Sequence, residues 1–211
     1  MSAVALDPPP KRQEPWPCPS ASELSCAQLY PLSVAQYHAM IDAGVFAEDE
    51  RCELLDGLLV KKMSQLPLHS LTVRLLCRWF GRRLGDTWTL GSQAPIALTE
   101  HEPEPDLWVA RGPDARFADR HPGPAETALI VEVSDSSLSF DRGRKLRLYA
   151  AAGIPEYWIV NLVDRQVEVH REPLAAEGRY AVVEIVRAEG VLNVTLDNVE
   201  LGTLPIAELL P

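Results

Sequence analysis

One short segment constrains the fold more than any other. Leu129-Ile130-Val131-Glu132-Val133-Ser134 is a β-branched apolar run with a carboxylate in its middle. Such a run reads as a buried strand. A charge inside it is expensive unless it is paired or bound to a metal. Strand alternation puts Ile130, Glu132 and Ser134 on one face. Glu132 therefore pairs with a buried arginine, faces water across an antiparallel sheet, or belongs to a site.

The elements around that strand give the architecture. Ser33 is an N-cap for Val34, Tyr37 and Ile41 at helical spacing, with Gly44 as a stop. Cys52–Leu55 and Leu58–Val60 flank Asp56-Gly57, a hairpin signal because both turn residues tolerate positive φ. A helix is expected over Ser70–Leu84, then strands over Trp88–Leu98, Asp106–Ala110 and Leu129–Ser134. Leu138–Ala152 reads as a helix stopped by Gly153. Tyr157–Asn161 and Gln166–His170 read as strands, Tyr180–Leu201 as short strand-like pieces, and Pro205 onward as a brief helix or coil. The predicted class is α/β: a central mixed β-sheet flanked by helices, with an N-terminal helix and hairpin.

Residues 1–31 hold seven of the chain's 18 prolines, too dense for helix or central strand, and read as a flexible tail before one domain at 32–211. With 211 residues and 46% hydrophobic composition, that domain has enough chain for its own core. No apolar run approaches the roughly 20 residues of a membrane helix. The N-terminus is proline-rich rather than apolar, so no secretory signal is expected and the cytoplasm is the expected compartment. Cys18, Cys26, Cys52 and Cys77 lack zinc-ligand spacing and read as reduced thiols. A net charge of −10 argues against a protein that coats nucleic acid electrostatically. It leaves room for a nuclease, whose metal-site acids add to that total.

Two further residues complete a candidate constellation. Asp106 follows Pro105 and opens the apolar run Leu107-Trp108-Val109, which puts a carboxylate at a sheet end or simply in water. Asp141, Lys145 and Tyr149 lie four apart on one helix face. Asp141 with Lys145 is either an ordinary helix pair or part of the site. Two carboxylates and an ammonium suit phosphodiester hydrolysis. Oxygen ligands fit Mg²⁺, and a positive group stabilises the transition state. Arg74, Arg78 and Arg82 recur every four residues and form either a solvated face or a phosphate-contacting stripe. No Ser-His-Asp order, phosphate-binding glycine loop or HExxH competes.

The stretches CELLDGLLV, EPEPDLWV, LIVEVSDSS, DRGRKLRLYAAAGIPEYWIV and VEVHREP, in this order over about residues 33–173, carry a family signal. The chain resembles a bacterial restriction endonuclease family of the PD-(D/E)XK nuclease superfamily. The resemblance implies a restriction-endonuclease-like core and Mg²⁺-dependent cleavage of DNA, with Mn²⁺ as an alternative ion and no organic cofactor. It implies that Asp106 and Glu132 are metal ligands, with Glu53 as a third carboxylate. The motif's lysine position holds Ser134, so a lysine displaced to the next helix, Lys145, is the implied catalytic cation. Arg74, Arg78 and Arg82, with Arg142 or Arg144, are the expected DNA rim, and a homodimer is expected by analogy. A catalytically silent nucleic-acid-binding or interaction module is the alternative.

Overall fold

The computed structural model describes residues 29–47, 50–62 and 65–210. Contacts gather Leu32–Pro211 into one compact unit. The proline-rich segment before it, with Cys18 and Cys26, lies outside the described residues apart from 29–31.

The chain opens with α1 (Val34–Asp42), whose Ser33 hydroxyl and Gln36 side chain form a reciprocal capping box. The β1 (Cys52–Leu55) and β2 (Leu58–Lys61) hairpin follows, with Asp56 and Gly57 at φ 51° and 72° as its turn chemistry requires. The second helix, α2 (Pro67–Gly81), starts earlier than the apolar stripe predicts. Pro67 fits the first helical turn, where its missing N–H costs no hydrogen bond.

Six strands then form one mixed sheet: β3 (Trp88–Gly91), β4 (Leu107–Arg111), β5 (Thr127–Ser134), β6 (Glu156–Asn161), β7 (Gln166–Leu174) and β8 (Arg179–Arg187), hydrogen-bonded in that order. All neighbours are antiparallel except β5 and β6, which pair in parallel from Leu129↔Glu156 to Ser134↔Asn161. A parallel pair needs a crossover. Here it is α3, made of Leu138–Phe140, a π-helical turn Asp141–Lys145 and Leu146–Ala151. The strand expected to run to Leu98 stops at Gly91. Gln93 turns into positive φ (51°), and Pro95 cannot donate to a ladder. A separate hairpin, β9 (Val191–Leu196) and β10 (Val199–Pro205), and a 3₁₀ turn Ile206–Glu208 close the chain.

Alternation along β5 divides the core. Leu129, Val131 and Val133 join the cluster under α2 and the β9–β10 hairpin. Ile130 joins the cluster of Leu148, Tyr149 and Tyr157 on the α3 side, with Leu55 of the first hairpin. Both faces of the central strand are thus covered, and any polar side chain on it must find its partner inside the protein. No described helix is long and apolar enough to cross a membrane.

Candidate active site

Glu132 shares the α3 face with Ile130 and Ser134, as the two-residue period requires. The β4–β5 register runs Val109↔Leu129, Trp108↔Ile130, Leu107↔Val131. One further step places Asp106, the residue just before β4, opposite Glu132. Both carboxylates line one cavity of about 330 Å³ together with Glu53, Lys62, His69, Asp141 and Lys145.

Each acid is held by specific donors. Asp106 Oδ2 accepts the Val133 N–H at 2.9 Å and lies 3.0 Å from His69 Nε2. Burial works to raise the Asp106 carboxyl. The His69 contact, the Val133 N–H and the nearby Lys62 outweigh it, and the group sits below its usual range. Glu132 Oε1 accepts from Lys145 Nζ at 2.8 Å and from the Tyr149 hydroxyl at 2.9 Å. Burial pushes Glu132 up to about 8 against the pull of Lys145, and Asp106, Asp141 and Glu53 push the same way. Burial alone would lower Lys145. Glu132, Glu53 and Asp141 more than offset it, so the ammonium is held above its usual range and stays charged.

Glu53 Oε2 accepts the Glu104 N–H at 3.0 Å and stands 3.4 Å from Lys145. Asp141 Oδ2 accepts the hydroxyls of Ser134 at 2.7 Å and Ser137 at 2.6 Å. The π turn buries both Asp141 and Lys145 toward the sheet. Single π turns inside helices recur at functional sites. Ser134 therefore does not leave its position without a partner. It anchors the start of the helix segment from which Lys145 reaches Glu132.

Lys145 is placed inside the fold rather than on an exposed helix face. Its residue exposure is 4%, because Glu132 and Glu53 hold it within the fold. The arginines are placed elsewhere than the cavity. Arg74 and Arg78 are exposed on α2, and Arg82 caps its end. None of them lines the cavity. Arg142 binds Glu168 at 2.5 and 3.0 Å and Asp164 at 3.3 Å, and Arg144 binds Asp56 at 2.7 Å. The basic side chains that do line it are Lys61, Lys62, Lys145 and His69. The predicted site leaves out Lys62 and His69, and Asp141 is read from sequence as either an ordinary helix partner of Lys145 or part of the site. Asp141 carried a readable signal, since it shares the helix face of Lys145. Lys62 carried one in strand alternation.

The acids of the cavity are under-neutralised. Of its lining residues, Glu53, Asp106, Glu132, Asp135 and Asp141 bring a formal −5, and Lys61, Lys62 and Lys145 bring +3, leaving −2. One divalent cation would balance that difference. Among the described residues no three His, Cys, Asp or Glu side chains are already gathered as an ion cage. Mg²⁺ does not demand one, since it keeps several waters and takes one or two carboxylates. Asp106 Oδ1 and Glu132 Oε2 make no hydrogen bond to the described residues and supply two hard oxygen donors. The residues fit such an ion.

Comparison with known proteins follows the same line. A family model described as "Uma2: Putative restriction endonuclease" matches residues 34–206. A crystal structure of "a putative nuclease belonging to DUF820" from Anabaena variabilis ATCC 29413 superposes with a TM-score of 0.63 at 13% identity. The match covers 85% of this chain and 97% of that one. At that identity the likeness shows the fold. No curated protein matches the chain.

Proposed function

The chain belongs to the Uma2 restriction endonuclease family, and from that premise we propose that it is a divalent-metal-dependent endonuclease that hydrolyses phosphodiester bonds in DNA. The observation that carries the reading is the cavity in which Asp106 and Glu132 stand opposite each other, with a net formal charge of −2 among its lining residues. Asp106 Oδ1 and Glu132 Oε2 are the ligand oxygens in this proposal, and Glu53 is the third carboxylate within reach of the same space. A Mg²⁺ or Mn²⁺ held there would supply an acidified water and balance charge developing on the phosphate.

The protein's own groups prepare that chemistry. His69 and the Val133 N–H fix Asp106 and keep it ionised, ready to accept a cation. Lys145 and Tyr149 fix Glu132 through one oxygen and leave the other for a ligand. The Lys145 ammonium provides the positive charge that Ser134 cannot, and it orients the attacking water beside Glu132. Water adds its hydroxyl to phosphorus and gives its proton to solvent, the P–O bond to the sugar breaks, and the departing oxygen takes a proton from solvent. We assign the cytoplasm as the compartment and two copies of the chain as the unit that cuts both strands.

Supercoiled plasmid incubated with Mg²⁺ or Mn²⁺ tests the reading. Native protein is expected to yield nicked and linear DNA, and EDTA is expected to stop it. Glu132→Ala is expected to slow cleavage by at least about 100-fold, the scale of losing one preorganised transition-state group. A native protein that binds DNA yet cuts none with either ion would identify a silent module on a nuclease fold.

A further inference from the structure

Three lysines line the cavity, and their surroundings divide their duties. Lys145 Nζ lies 2.8 Å from Glu132 and 3.4 Å from Glu53, so it serves the carboxylates and the water beside Glu132. Lys62 follows the last residue of β2, and its N–H donates to the Arg51 carbonyl at 2.9 Å. Lys61 also borders the cavity, but its side chain is 63% exposed and pairs with Glu50 at 3.6 Å, whereas Lys62 lies deeper. Lys62 Nζ donates to the Glu104 carbonyl at 2.6 Å and to Glu104 Oε1 at 3.2 Å. An ammonium has three N–H bonds. Glu104 accepts two of them, and the described residues accept no third. Arg51 also pairs with the Glu104 carboxylate, so that acid keeps a cation when Lys62 turns to another anion.

We propose that Lys62 is the substrate-facing cation of this cavity and that its free N–H contacts a non-bridging oxygen of the scissile phosphate. The proposal rests on the endonuclease reading of the same site. Three observations favour Lys62 over other cations. It lines the cavity with Asp106 and Glu132, whereas Arg74, Arg78, Arg82 and Arg142 do not. Its side chain is 13% exposed against 5% for Lys145, which places it nearer the mouth through which a phosphate enters. Its backbone and side chain are both tethered, so the ammonium is preorganised, which is what a group must be to stabilise developing charge. A purely structural Lys62 would serve Glu104 alone.

Lys62→Met and Lys62→Arg in the full chain separate these roles. For Lys62→Met we expect kcat to fall by about 100-fold or more, with Mn²⁺ affinity and Tm close to native. Lys62→Arg, which keeps the charge, should recover most of the lost rate. Native turnover in Lys62→Met would overturn the proposal. So would a loss of rate matched by an equal loss of Mn²⁺ affinity, or a fall in Tm that arginine does not repair. If native protein cleaves nothing, the endonuclease reading fails by itself. Anisotropy of a fluorescent DNA oligonucleotide in Ca²⁺ then decides on Lys62: weaker binding by Lys62→Met sustains the contact, and equal binding overturns it.

Discussion

Replacing Lys145 with alanine is expected to cost about 3–5 kcal/mol of stability, the range for breaking a buried ion pair. Over a domain of this length that lowers Tm by roughly 6–20 °C. The cause is the company Lys145 leaves behind. Glu132 and Glu53 are both buried, and the ammonium at 2.8 and 3.4 Å is the cation closest to them. The cost should depend on pH. Glu132 in the folded protein sits at about 8, above the 4.5 of an ordinary glutamate. A raised carboxyl favours folding in its protonated form and loses that advantage as pH rises through the folded value. Without Lys145 the stranded carboxyl takes up a proton at pH 5 and must ionise or stay strained at pH 9. The Tm gap between native and Lys145→Ala should therefore be narrow at pH 5 and widest at pH 9. Adding Glu132→Gln should recover part of the loss, because a neutral amide removes the orphaned charge. A Lys145→Ala protein with native Tm at both pH 5 and pH 9 would show that the pair carries no such burden.

Asp106→Asn should do the opposite: leave the fold and remove the activity. The asparagine carbonyl can still accept the Val133 N–H and the His69 contact that hold Asp106 at 2.9 and 3.0 Å. Tm should stay within a few degrees of native. The lost charge matters to the ion, because hard divalent cations are held by ionised oxygen ligands. Plasmid cleavage should fall by more than about 100-fold, since outer partners of a metal site alone are worth 10–100-fold. Cleavage at the native rate, with Tm unchanged, would remove Asp106 from the site.

Much of this architecture was legible because short-range rules decide it. Ser33 capped a helix, Asp56-Gly57 turned a hairpin, and the period of two put Glu132 on the face of Ser134 and Ile130. The order of elements and the family stretches then named the core. What escaped were contacts between elements distant in sequence. His69 reaches Asp106 across 37 positions and Lys62 reaches Glu104 across 42. Periodicity says which face a residue occupies, not which remote side chain meets it. The π turn at Asp141–Lys145 was equally hidden, since it looks like ordinary helix in the sequence. Of the arginine stripe, Arg74 and Arg78 lie on α2 and Arg82 caps its end, and the cavity opens among other residues. The second hairpin was missed although Asp197-Asn198 takes positive φ at both positions and was there to be read.

The central claim is that Asp106 and Glu132 together hold one divalent ion in this cavity. Titration of Mn²⁺ into the full chain, with free ion followed by electron paramagnetic resonance, measures it directly. Native protein should bind one ion per chain, and both Asp106→Asn and Glu132→Gln should weaken that binding by at least about tenfold. Mn²⁺ binding that is absent in the native protein, or identical in all three, would contradict the account.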